Sequence, residues 1–223
     1  MKTDLQLSNF VISTPYQLTI ADDKCIEETS HGHPVKEDWS AAKLDGFKKR
    51  VKKYYHGQQN HKCAYCRMDV SLATGFYHIE HIVPKSTHPE WMYEPYNLCL
   101  SCPICNSSKN NQEILAEETV KKLPKTSSDY LIVHPHIDNY FDHIEIVDGL
   151  LYKGLTTKGV KTIEVCNLTR TELLAERAKN YIKSEQAEGS YTKIFITYTM
   201  NSQLVGNMDE LLENVEKTIK MLA

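Results

Sequence analysis

No run of about eighteen apolar residues occurs in this 223-residue chain, so no segment has the make-up of a membrane-spanning helix. The N-terminus has no basic patch followed by an apolar core, which argues against a secretory leader. Internal repeats and low-complexity tracts are absent. A global positive excess is missing too: 26 Lys and Arg stand against 29 Asp and Glu, a formal net charge of −3. Proteins that hold nucleic acid unaided carry a basic footprint, so any footprint here must be local. The apolar share of 41 % and the charged share of 25 % are those of an ordinary soluble globular protein. These features lead us to expect a cytoplasmic protein with no membrane attachment.

Seven cysteines are present. Four stand as two Cys-x-x-Cys pairs, Cys63 with Cys66 and Cys102 with Cys105. Each pair brings two sulfurs close enough to share a metal. Two pairs supply the four ligands of a closed, tetrahedral zinc site. The gap between them exceeds the roughly 15–20 residues of a zinc ribbon, so the insert must form structure of its own that the metal closes at its base. Two disulfides or buried free thiols are the other readings. Disulfides sit badly with the missing leader. Cys25, Cys99 and Cys166 are left over as reduced thiols.

The insert carries the chemistry. Phe76 to Val83 is rich in β-formers, ends at Pro84 and reads as a strand. Asn97-Leu98-Cys99-Leu100 reads as a second. Asn106, a favoured N-cap, is placed to begin a helix running to about Val120, with Glu113, Ile114, Leu115, Glu117 and Glu118 along it. Glu80 and His81 are neighbours on the first strand and point to opposite faces. They can still serve one site where the strand twists or ends. Oxygen ligands from Glu80 and Asn106 suit Mg²⁺ or Mn²⁺. A neutral His81 imidazole can take a proton from an attacking water near pH 7. Lys85 and Lys109 can contact phosphate. Singly, each residue also has an ordinary explanation: a solvated Glu or His at a strand end, an Asn that only caps a helix. His78 shares a strand face with Glu80 and is either a further ligand or a structural, exposed histidine.

Taken together, Cys63-Ala-Tyr-Cys66, Tyr77-His78-Ile79-Glu80-His81-Ile82-Val83-Pro84-Lys85, Asn97-Leu98 and Cys102-Pro103-Ile104-Cys105-Asn106-Ser107-Ser108-Lys109 resemble the HNH endonucleases of the ββα-metal superfamily, in the branch with a four-cysteine zinc site. The resemblance implies Glu80 and Asn106 as ligands of a catalytic divalent ion, His81 as general base and Asn97 as the residue bracing the loop. Asp is commoner than Glu at the Glu80 position, which bears on metal preference. The wider sequence, through Val133-His134-Pro135-His136-Ile137-Asp138, is similar to one HNH branch in particular. That branch includes nuclease subunits of Septu-type and some retron antiphage systems. It implies an ATPase partner that controls the nuclease, and cleavage leaving 5′-phosphate and 3′-hydroxyl ends.

Around this core the sequence is less specific. Leu44, Phe47, Val51 and Tyr55 make an apolar stripe at helical spacing. They predict an amphipathic helix beginning near Glu37 or Asp38, with Lys48, Lys49, Arg50, Lys52 and Lys53 on its outer faces. These cations are either a solvated face or a DNA-backbone contact beside the metal site. Residues 1–37 read as an N-terminal extension with short extended pieces at Phe10 and Tyr16 and a turn around His31 and His33. Trp91, Tyr93 and Tyr96 in the loop after Pro84 either pack the strand hairpin, the default, or stack on a base. Residues 38–122 form the expected nuclease core. Residues 123–223 form a third region: a strand at Tyr130–His134, a hairpin turning at Asp148-Gly149, a helix near Thr157–Val165, and a longer helix to about Gln186, opened by a Thr169/Glu172 capping box. Gly189-Ser190 breaks that helix. Residues 191–200 are ambiguous, and residues 208–222 read as a terminal helix. His134, His136, Asp138 and His143 are either a second metal site or packing near the core.

The expectation is an α+β, ββα-metal HNH core stapled by a four-cysteine zinc site, with an N-terminal helix and a mostly helical C-terminal extension. It hydrolyses DNA phosphodiesters with Mg²⁺ or Mn²⁺. An inactive zinc-stapled nucleic-acid-binding or adaptor module, or an RNA-cleaving HNH nuclease, are the alternatives.

Overall fold

Leu44, Phe47, Val51 and Tyr55 are all fully buried, and they fix how α2 (Asp45–Gln58) lies against the core. Burying each such side chain stabilises the fold by about 1.5–3 kcal/mol. The helix starts later than the charge pattern predicts. Residues Lys36–Ser40 and Ala42–Leu44 form two 3₁₀ turns instead. A computed structural model describes residues 9–70, 77–117, 119–147 and 149–182. Among the residues singled out above, Phe76, Glu118, Asp148, the Gly189-Ser190 break and residues 191–200 and 208–222 lie outside the described ones.

The architecture is α+β with small antiparallel strands. The sequence reading of residues 16–36 has no helix, yet α1 (Ile20–Ser30) is there. Its signal is Thr19 with Asp22 three residues on. The Thr19 hydroxyl accepts from the Asp22 N–H, and the Asp22 carboxylate accepts from the Thr19 N–H at 2.9 Å, a reciprocal cap. His31 closes α1 in the left-handed conformation, φ 49°. Buried Asp22 also accepts two bonds from Arg50 on α2 and one from the Tyr16 hydroxyl. Tyr55 ties the layers further: its hydroxyl accepts from Tyr16 N–H and donates to the Pro95 carbonyl.

β1 (His78–His81) and β2 (Leu98–Ser101) pair antiparallel, with His78 opposite Ser101 and Glu80 opposite Cys99. α3 (Pro103–Lys109) follows at once. It begins three residues before Asn106 and stops well short of Val120. Cys102 is its N-cap and Pro103 its first residue, where the missing N–H costs nothing. Asn110, at φ 44° and ψ −129°, ends it.

Beyond α3, Tyr130 makes only an isolated bridge with Leu115, not the expected strand. Side chains take the backbone donors instead: Val133 N–H bonds Thr162 Oγ1, and His134 N–H bonds Asp138 Oδ2. The short helix α4 (Tyr140–His143) leads into β3 (Ile144–Val147), which pairs with β4 (Leu151–Gly154). Gly149, at φ 71°, sits in the turn, a conformation glycine adopts freely. α5 (Thr157–Val165) carries its own cap, with Thr156 Oγ1 accepting from Gly159 N–H. α6 (Thr171–Ile182) begins at Thr171, so Arg170 rather than Thr169 precedes its first turn. By contacts the chain divides into two units, Met1–Ile146 with Tyr152–Thr169, and Val147–Leu151 with Arg170–Ala223. In the second unit, Arg177 donates to the Gly149 carbonyl. The site lies wholly in the first.

Candidate active site and metal centre

The two cysteine turns meet. The Sγ atoms of Cys63, Cys66, Cys102 and Cys105 all lie within 4.8 Å of one another. Cys66 and Cys102 are 3.8 Å apart, close to the edge of a sulfur tetrahedron around an ion with ~2.3 Å metal–sulfur bonds. Backbone N–H groups of Cys102 and Cys105 point at the sulfurs of Cys63 and Cys102, the surroundings a thiolate prefers. Bonds from Cys105, then Cys63 and Cys66, pull the Cys102 thiol far toward the thiolate. The donor set and its spacing fit a metal. Among the described residues no other His, Cys, Asp and Glu group of three or more could hold one.

The Cys63/Cys66 turn and α3 clamp the strand pair between them. On β1 only His78 is exposed; Ile79, Glu80 and His81 are buried. Glu80, 3 % exposed, faces α3, where its Oε1 lies 2.7 Å from the Lys109 ammonium. Lys109 is 0 % exposed and also donates to the His81 carbonyl at 3.0 Å. This corrects its assignment as a phosphate contact, since a wholly enclosed ammonium cannot meet a substrate. Its work is to hold the Glu80 carboxylate and the end of β1 against α3. Burial pushes the Glu80 carboxyl up, against the pull of Lys109 and Lys85.

His81 turns to the other side of β1. Its Nε2 lies 3.1 Å from the Met92 carbonyl, which can only accept, so that nitrogen carries the proton and Nδ1 keeps its lone pair. Burial, then the charge on Lys85, pushes its pKa down to about 3, so it is neutral at pH 7. The residue before Met92 is tied down by Asn97. That side chain accepts from Val83 N–H at 2.7 Å and donates to the carbonyls of Val83 and Trp91. The Asn106 amide and the His78 ring stand 3.0 Å apart at the surface. Asn106 lies inside α3 rather than capping it.

These residues line one branched cleft. His78, His81, Lys85 and Asn106 are common to both arms. One arm, about 260 Å³, is walled by Trp39, Lys48 and Lys52. The other, about 270 Å³, is walled by Glu80, Ser107, Asn110 and Asn111. The α2 cations therefore separate. Lys48 and Lys52 reach the cleft, Arg50 is bound to Asp22, and Lys49 and Lys53 are exposed and line neither arm. Trp39 is a cleft residue that nothing in the motif spacing singles out.

The cluster of His134, His136, Asp138 and His143 is packing, not a second metal site. Asp138 is taken by Lys158 at 2.9 Å, by the Ser127 hydroxyl and by the His134 N–H. His136 bonds the Leu98 carbonyl at 2.8 Å, and Tyr96 stacks on both His134 and His136. Trp91 and Tyr93 are buried in the loop that follows β1. His31 and His33 are exposed at the end of α1.

Comparison with known proteins matches this region. Residues 63–112 fit the family model described as HNH endonuclease. Along most of its length the chain is similar to Septu protein PtuB of Bacillus mycoides, with 29 % identity over 214 residues, covering 85 % of this chain and 71 % of that protein. It is similar to Septu protein PtuB of Bacillus thuringiensis as well, with 28 % identity over 189 residues, covering 73 % and 68 %. No helix among the described residues is long and apolar enough to cross a membrane. With the cysteine cluster able to hold a metal beneath a β1–β2–α3 cleft, the chain carries an HNH endonuclease domain at residues 63–112, and it is a nuclease.

Proposed function

We propose that the chain hydrolyses phosphodiester bonds of DNA with a catalytic Mg²⁺ or Mn²⁺, in antiphage defence and together with an ATPase partner. The observation that carries this is the convergence of Glu80, His81, Lys85 and Asn106 on one cleft. Carboxylate and amide oxygens are the donors that hard divalent ions take, so Glu80 and Asn106 would hold the ion, with His78 beside them. Such an ion neutralises phosphate charge and stabilises the leaving oxygen. Lys109 keeps one Glu80 oxygen fixed and leaves the other for that duty. Zinc in the four-cysteine cluster is the staple that joins the Cys63/Cys66 turn to the start of α3.

His81 is the base. Its Nε2–H is given to Met92, so Nδ1 accepts the proton of the attacking water as the new oxygen–phosphorus bond forms. The opposite phosphorus–oxygen bond breaks, the released 3′ oxygen takes a proton from solvent water and leaves as a hydroxyl, and the phosphate stays on the 5′ side. Burial, and after it the charge on Lys85, depresses the basicity of His81 in the free protein. A substrate phosphate against Lys85 offsets that charge and brings the imidazole closer to its working range. Asn97 acts at one remove by holding the Val83–Trp91 loop, which ends next to Met92. The net charge of −3 supports the partner: three cleft cations grip a polyanion weakly, and a second subunit would supply the rest.

The test is cleavage of plasmid and of RNA by the purified chain with Mg²⁺ or Mn²⁺, beside His81→Ala and an EDTA control. DNA cutting that needs both the metal and His81 is expected, alone or once the ATPase partner is added. Unchanged cutting by His81→Ala would overturn the mechanism, and cutting of RNA alone would overturn the substrate.

A further inference from the structure

Trp39 lies outside the pattern that marks the site, yet its ring stands against the site's histidine. The Trp39 and His81 ring centroids are 4.4 Å apart at an interplanar angle of 77°. Phe47 and Tyr93, both buried, hold the indole from behind at 6.2 Å each. The 3₁₀ turn that carries Trp39 is itself pinned, with Val35 N–H donating to the Asp38 carboxylate. An aromatic ring fixed this firmly could be wholly enclosed. Trp39 is only half-buried and opens into the cleft beside Lys48 and Lys52. The Lys48 ammonium stands 5.7 Å from its ring centroid. That ammonium also lies 3.4 Å from Asp45 Oδ1 and from the Ala41 carbonyl, and Lys52, on the same arm, lies over the Tyr77 ring. An aromatic ring with ammonium groups in the same cleft is how proteins hold unpaired nucleotides: the base stacks and the phosphates meet the ammonium groups. Among the described residues the opposite arm has no aromatic wall other than the shared histidines; Ser107, Asn110 and Asn111 line it.

We propose that Trp39, Lys48 and Lys52 form a nucleoside subsite beside His81, which stacks one unpaired base of the substrate strand next to the scissile phosphate. The inference rests on the nuclease reading and adds a preference to it. A base inside a duplex keeps both faces against its neighbours, so the subsite takes a single strand or a locally opened one. The grip is one-sided, on the Trp39 arm.

The chain has two tryptophans, and Trp91 is 5 % exposed. Full-length chain carrying Trp91→Phe therefore reports from Trp39 alone. It is titrated with single-stranded oligothymidylate and with a duplex of equal length, without divalent metal, so that binding is read whether or not the chain cuts. Saturable quenching by the single strand, and much weaker quenching by the duplex, is expected. In parallel, the anisotropy of a labelled single strand compares the wild type with Trp39→Phe and Trp39→Leu, which needs no change at Trp91. Leu should weaken binding about ten-fold and Phe far less, the scale of one lost stacking contact. In cleavage assays the Leu loss should fall on KM rather than kcat. Absence of quenching, duplex binding as tight as single-strand binding, or Trp39→Leu binding like wild type would each overturn the subsite. Failure to cut with single-strand binding intact would instead count against the nuclease reading.

Discussion

Replacing Lys109 by Met removes a buried ammonium and keeps the length and shape of its stem. Glu80 is then left buried without its ion-pair partner, which stood 2.7 Å away. Breaking a buried ion pair by deleting one member costs about 3–5 kcal/mol. Here the carboxyl has an escape, because burial already pushes its pKa up and without Lys109 it can take a proton. From an unfolded value near 4.3, at about 1.4 kcal/mol per unit, that escape caps the charge penalty at about 3.7 kcal/mol at pH 7. The lost bond to the His81 carbonyl adds about 1 kcal/mol. A total of up to about 4.7 kcal/mol corresponds to a fall in Tm of up to roughly 9–19 °C for a chain of this size. The penalty also has a sign in pH. A carboxyl protonated when folded and ionised when unfolded makes the folded state bind more protons, so stability falls as pH rises above about 4.3. Lys109→Met should therefore lose much less relative to wild type at pH 5 than at pH 7.5. Urea unfolding at both pH values, without added Mg²⁺, measures this. Adding Glu80→Gln to Lys109→Met should return most of the loss at pH 7.5. A Tm within 1 °C of wild type, or a penalty independent of pH, would refute the reasoning.

Further outcomes follow from the same geometry. Asn97→Ala strands the buried Val83 N–H and should cost about 2–3 kcal/mol in urea unfolding, with a fall in kcat well beyond the fraction unfolded. A zinc chelator, or Cys105→Ser, should remove one metal ion per chain by elemental analysis and abolish the cooperative melt, since binding of a structural ion is folding free energy. An unchanged melt would dismiss the staple. Burial holds the His136 pKa down at about 4, so below about 6.5 only the unfolded chain protonates at this position. Stability should fall by up to about 1.4 kcal/mol per pH unit between about 6.5 and 4 on its account, and His136→Gln should flatten that slope.

The sequence revealed the core because its chemistry needs fixed spacings. Two Cys-x-x-Cys turns can share an ion only if the insert returns on itself, and a β1–β2 pair is the short way to do that. The apolar stripe of α2 was legible for the same reason: Phe47, Val51 and Tyr55 are one face of one helix, and Leu44 stands at its N-cap. What failed was local in another sense. Asn106 looks like a cap, but Cys102 and Pro103 start α3 earlier because the sulfur cluster sets where the chain turns. Lys109 looks like a surface cation, and no spacing rule says that it is enclosed with Glu80. Tyr130–His134 has strand composition, but the hydroxyl of Thr162 and the carboxylate of Asp138 claim its backbone donors. Trp39 was silent because its role depends on α2 and the Tyr93 loop converging on β1 in space.

Of the five cations on α2, Arg50 is committed to Asp22, and only Lys48 and Lys52 share the cleft with Lys85. A strand lying there displaces few condensed counterions: three contacts give a salt exponent of only about −2 for a single strand. On the proposed reading, the chain on its own has a shallow salt dependence and a brief residence on any one strand. In the proposed defence role, that property spares nucleic acid other than the target, where tight unassisted binding would be the hazard.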